Sequence, residues 1–144
     1  MNDPALAMKN LGSLLELVNH EDETISNCAV ESLENCGAPT AEHLGLLQKY
    51  LSDSDSLRVY WDATLLGRLF AEEAEEIAGA LPPLQVALGK RLNDKSLEDS
   101  ARERICWAIT KLPSIDEGLR TALHAASQDA KPRMLKLIET ALSI

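Results

Sequence analysis

Leu11-Gly12-Ser13-Leu14-Leu15-Glu16-Leu17-Val18-Asn19-His20-Glu21-Asp22 is the stretch that decides the fold class. Leu11, Leu14, Leu15 and Val18 recur at three-and-four spacing, which puts one apolar stripe on a helix, and the polar cluster Asn19 to Asp22 then interrupts it. A second helical run follows and ends at Gly37, with Pro39 marking a restart. One helix, a polar turn and a second helix make a pair that cannot bury its apolar faces alone, so the unit is expected to recur.

It does recur. Polar clusters at Ser52-Asp53-Ser54-Asp55, Asn93-Asp94-Lys95-Ser96 and Gln128-Asp129-Ala130-Lys131 each lead into another helical run. Leu44, Leu47 and Leu51, then Leu81, Leu84, Leu88 and Leu92, repeat the three-and-four stripe in the first helices of later pairs. Taking Leu33, Leu66, Ile109 and Leu142 as equivalent positions in the second helices gives spacings of 33, 43 and 33 residues, within the range of helical repeats. The long middle interval holds the acidic run Glu72, Glu73, Glu75, Glu76 and the pair Pro82-Pro83, where an inserted turn or a kink would absorb the extra residues. Asp3-Pro4 reads as an N-cap followed by proline at the first helical position, and Ser114 three residues before Glu117 reads as a capping box. The expectation is eight helices, at 4–18, 23–36, 40–51, 56–71, 74–92 (broken near Pro82), 97–112, 115–128 and 132–143, forming a single domain over 1–144.

Composition agrees. Of 144 residues, 45% are hydrophobic but only 3% are aromatic, so the core is built from Leu, Ala, Ile and Val, which favours helices over sheets. The formal net charge of -9 repels phosphate backbones and argues against nucleic acid as a partner. Met1 to Asn10 carries no basic region ahead of an apolar run, and no apolar stretch is long enough to cross a bilayer, so no membrane association and a cytoplasmic location are expected. Cys28, Cys36 and Cys106 read as reduced thiols, because two cysteines eight residues apart on one helix lie too far apart to bridge.

The second helices carry a family resemblance. Ile25-Ser26-Asn27-Cys28-Ala29-Val30-Glu31-Ser32-Leu33-Glu34-Asn35-Cys36-Gly37 resembles the HEAT-repeat pattern of apolar, Ala, Leu, apolar and Gly positions. Ala101-Arg102-Glu103-Arg104-Ile105-Cys106-Trp107-Ala108-Ile109-Thr110-Lys111-Leu112 also resembles it, with Arg102 just after the first apolar position, where the family often places arginine. Leu57-Arg58-Val59-Tyr60-Trp61-Asp62-Ala63-Thr64-Leu65-Leu66-Gly67-Arg68-Leu69 has the Leu-Gly-x-Leu ending but puts Asp62 where a small apolar residue belongs, as a rotated or shifted helix would. The copy from 132 to 144 is truncated. The resemblance to the HEAT-like, armadillo-type family implies an all-α, right-handed α-α superhelix (solenoid) of about four antiparallel HEAT-like helix pairs, whose second helices line a concave surface that holds partners.

Some HEAT-like proteins are enzymes or enzyme-associated, and their chemistry can be looked for here. Metal-dependent hydroxylases of the class need several His-Glu dipeptides on repeated helices; only His20-Glu21 occurs, in a turn, with His43 and His124 isolated, so no metal and no cofactor is expected. Neither a nucleophile elbow nor a glycine-rich phosphate loop is present, which leaves no catalytic residues to name. The helical DNA glycosylases of the class suggest comparing Tyr60, Trp61 and Trp107 with Arg58, Arg68, Arg102 and Arg104, but the acidic total opposes that reading.

The aromatic residues point elsewhere. At 100° per residue, with Leu66 and Ile109 facing the core, Trp107 lies about 160° away, Trp61 about 140° and Tyr60 about 120°. Arg68, Arg104 and Lys111 fall in the same outward sector. Trp, Tyr and Arg dominate interface hot spots, so Tyr60, Trp61, Arg68, Arg104, Trp107 and Lys111 form the expected partner-binding surface, with packing of either Trp between repeats as the competing reading. The expected function is a non-enzymatic interaction module or scaffold for a protein or peptide. Two alternatives accompany it: an accessory subunit of the lyase type holding a small molecule in a groove, and a homo-oligomer formed through the C-terminal repeat near Ile138, Leu142 and Ile144.

Overall fold

A computed structural model describes residues 3–144. Among them there is no strand, and nine α-helices follow one another: α1 (Pro4–Lys9), α2 (Leu11–Leu17), α3 (Glu23–Asn35), α4 (Leu44–Leu51), α5 (Ser56–Glu73), α6 (Leu81–Leu92), α7 (Asp99–Ile109), α8 (Glu117–Ser127) and α9 (Pro132–Leu142). Short 3-10 turns at Ala41–His43 and Ala78–Ala80 precede α4 and α6.

The helix starts follow from side-chain acceptors placed to take orphan backbone N–H groups. Asp3, Asp22, Asp55 and Asp116 each accept from the first turn of the following helix, at 3.1, 2.9, 2.9 and 2.8 Å. Asp116 is thus the N-cap of α8, in place of the expected box from Ser114 to Glu117. The expected helix at 4–18 divides at Asn10, whose side-chain amide donates to the Leu6 carbonyl at 2.8 Å, so nine α-helices stand among the described residues where eight were expected. The pair Pro82-Pro83 does not break a helix. It opens α6, because proline fits the first turn, where no N–H partner is needed. The acidic run therefore lies at the end of α5 and in the turns after it.

Consecutive helices pack as α2 with α3, α4 with α5, α6 with α7 and α8 with α9. The first helices also touch in the order α4, α6, α8, and the second helices in the order α5, α7, α9. Buried apolar side chains from Ala7 to Ala141 form one continuous cluster. One glycine in each row sets a close approach. A Cβ on Gly89 of α6 would lie 2.9 Å from Ala122 Cβ on α8, and a Cβ on Gly67 of α5 would collide with Cζ3 of Trp107 on α7.

Helix carbonyl ends are held by arginines from neighbouring elements. From α5, Arg58 donates to Leu15 O and Glu16 O at the end of α2, at 3.2 and 3.1 Å. Arg102 donates through Nε to Leu92 O at 2.8 Å, closing α6, and Arg120 donates to Leu142 O at 3.2 Å, closing α9. Arg91 donates to Asp53 O at 2.7 Å, in the loop after α4. Guanidinium groups suit this role, since they meet both the unpaired carbonyls and the negative end of the helix dipole.

Candidate functional site

The expected partner residues separate into three environments. Trp61 is the correction: it is 7% exposed and belongs to the core, not to an outward face. The angular argument assumed that α5 has a solvent side. In fact α2, α4 and α7 all pack on it, and from Val59 to Phe70 only Tyr60 and Arg68 escape full burial. Asp62 is buried too, so α5 is not turned to bring its carboxylate to water. Both carboxyl oxygens lack a hydrogen-bond partner, and burial, with the Asp53 charge as a lesser cause, holds the carboxyl well above the usual carboxylate range.

Arg68 leaves the patch for a structural role. Its Nη1 donates to Leu33 O at 2.9 Å and Gly37 O at 3.1 Å, and its Nη2 to Glu34 O at 3.3 Å. Leu33 and Glu34 are in the last turn of α3, and Gly37, just beyond its end, takes φ +81°. Cys36 sits beside this clamp, its thiol pushed up by burial while Arg68 pulls it back.

Tyr60, Arg104, Trp107 and Lys111 do come together. The Arg104 guanidinium carbon lies 4.8 Å from the Tyr60 ring centroid and 4.7 Å from that of Trp107, and its Nη2 donates to the Tyr60 hydroxyl at 2.7 Å. Lys111 Nζ lies 5.3 Å from the Trp107 centroid. Cations against aromatic rings are attracted to the ring quadrupole, more strongly where water is excluded. Trp107 is half-buried, resting on α5 at Gly67. The two readings of this residue merge: part of the ring packs between helices and part lines a surface.

That surface is a groove of about 500 Å³ where α5, α7 and α9 meet. Tyr60, Arg104 and Trp107 form one wall, and Arg133, Lys136 and Leu137 of α9 form the other. The α9 residues are absent from the expected surface, since this segment reads in the sequence as a truncated copy and an oligomer end; the spacing of three and four from Arg133 through Lys136 and Leu137 to Thr140 is the available signal.

A second cavity, about 330 Å³, opens between α1, α2 and α3 and is lined largely by apolar groups, including Leu6, Leu14, Leu17 and Ile25. Leu6 and Ile25 are 43% and 38% exposed. At the other end of the chain Ile138 is buried, Leu142 half-buried and Ile144 exposed.

The histidines lie apart, two in turns or caps and one on a helix. His20 Nδ1 accepts from Asp22 N at 2.9 Å, His43 closes a capping box with Thr40, and His124 is exposed on α8. No group of three or more His, Cys, Asp or Glu side chains suited to a metal occurs among the described residues. Cys106 is deeply buried, its thiol pushed up to about 12 by desolvation, which suits a packing role rather than a nucleophile. Among the described residues no helix is long and apolar enough to cross a membrane. The sequence matches no protein-family model and no curated protein.

Proposed function

We propose that the chain is a HEAT-like interaction module, a right-handed superhelix of about four helix pairs that docks a protein or peptide, without catalysis, on the row formed by α5, α7 and α9. The succession of packed helix pairs, with first helices touching first helices and second touching second, supports the repeat reading. The observation that carries the docking reading is the Tyr60–Arg104–Trp107 stack at the rim of the groove. It presents two large aromatic groups and a guanidinium already held in place, so little side-chain freedom remains to be lost on binding.

The test is affinity capture from a lysate of the source cells by the wild-type chain and by Arg104→Ala, with circular dichroism showing both folded. A polypeptide retained by the first and lost by the second is the expected result. Equal retention by both would end the assignment of this face. Trp61 is unsuitable as a probe, because its truncation empties the core.

A second reading, an accessory subunit holding a small molecule, is favoured by the apolar cavity between α1 and α3. In that case an apolar small molecule would co-purify, and Arg104→Ala would leave it bound.

A further inference from the structure

The arginines divide unevenly. There are seven, and five of them, Arg58, Arg68, Arg91, Arg102 and Arg120, donate to main-chain carbonyls. The other two, Arg104 and Arg133, both line the groove between α5, α7 and α9. Lys136 lines it as well and has no acidic partner among the described residues. Arg133 reaches one carboxylate, Glu103 at 3.8 Å, with its own side chain 87% exposed, a pair worth little in water. Three cations against one carboxylate give the groove a net positive lining in a chain of net charge -9.

Resting on the docking reading above, we infer that the partner segment in this groove is acidic, a peptide whose Asp or Glu side chains meet Arg104 on one wall and Arg133 and Lys136 on the other. Arg104 is suited to the part: Nη2 is fixed on the Tyr60 hydroxyl, and Nη1 and Nε have no partner among the described residues. A planar fork held by two rings takes a carboxylate with small loss of freedom. Leu137 and the exposed part of Trp107 give the same segment apolar footing.

A nucleic-acid strand fits less well. Base stacking needs open ring faces, but Arg104 covers Tyr60, Arg104 and Lys111 both lie over Trp107, and Gly67 backs that ring. The remaining cations are few against the chain's net negative charge.

The experiment pans the full chain against a phage-displayed library of random peptides roughly a dozen residues long. A fluorescein-labelled synthetic copy of the most enriched peptide is then titrated with the wild type, with Arg133→Glu/Lys136→Glu, and with Lys9→Glu/Lys90→Glu as a charge-matched control remote from the groove. The altered residues are exposed in every case, so the fold is retained. The inference expects enriched peptides rich in Asp and Glu, with affinity falling about tenfold or more in the groove variant and less than about twofold in the control. Enrichment of neutral or basic peptides, still lost in the groove variant, would overturn the charge assignment and leave the docking face standing. No enrichment over the unselected library would remove both. Tighter binding of oligothymidylate than of the selected peptide, abolished in the groove variant, would replace the peptide with a nucleic acid.

Discussion

Arg68 and Arg104 stand on neighbouring helices of one row, and the fold uses them in opposite ways. Arg68 lies within reach of the end of α3, where Gly37 turns the chain and leaves carbonyls without helical partners, and its guanidinium is taken up by three of them. Arg104 donates to no main-chain carbonyl among the described residues; it lies between two aromatic rings with donors to spare. Where main-chain carbonyls take it up, a cation becomes part of the scaffold. Where they do not, the same side chain stays available to another molecule.

The largest expected effect tests the contact that brings the Arg104 side of the comparison into being. Gly67→Val places a branched side chain into the Trp107 ring and should destabilise by about 2 to 3 kcal/mol, read in denaturant unfolding. If stability were unchanged, the close approach of α5 and α7 would be wrong. Next comes Arg68→Ala, which strips the carbonyls of α3 and should cost about 1 to 2 kcal/mol. The same titration with the acidic peptide should show its affinity unaltered, whereas Arg104→Ala should reverse that pattern, with stability held within about 0.5 kcal/mol. Equal stability losses in the two variants would dissolve the distinction.

The smallest effect concerns a carboxyl that the arginines of its own helix leave alone. Arg58 and Arg68 both turn to main-chain carbonyls, and Asp62 stays unpaired inside α5. Its folded-state pKa is raised by burial, so the folded state holds the proton more tightly than the unfolded chain does. Stability is then fully expressed below the unfolded value near about 4 and falls as pH rises toward the folded value. Asp62→Asn, similar in volume and uncharged, should match the wild type near pH 4 and be the more stable of the two at pH 7. Identical pH profiles in thermal melts of the two proteins would show that Asp62 is not buried as described.

The local features of the fold were readable because their signals are local. Asp3-Pro4, Gly37 and the leucine stripes at three-and-four spacing mark helices through backbone constraints that act within a few residues. The Pro82-Pro83 pair was misread as a break because the same constraint serves equally well as a start, and the choice depends on where α5 ends. The site was legible in part. Tyr60, Arg104, Trp107 and Lys111 lie within one turn or two of each other on adjacent helices, and helical angles suffice to group them. Trp61 and Arg68 do not share that face because their surroundings come from other helices: α2, α4 and α7 pack on the helix of Trp61, and Arg68 bonds carbonyls 31 to 35 positions earlier. Helical angles report direction, not what stands in that direction. Arg133 and Lys136 were overlooked because only the packing of α9 beside α7 makes them one wall of a groove.

The arginine clamps carry one more consequence, for behaviour in salt. Their acceptors are main-chain dipoles and lie against packed helix ends, so added ions screen them far less than they would screen exposed pairs such as Lys131 with Asp99. The chain's excess of 23 acidic over 14 basic residues, by contrast, repels itself throughout and is relieved by ions. Raising the ionic strength therefore leaves the joints between neighbouring helices intact while easing the strain on the whole, and the domain grows sturdier in brine.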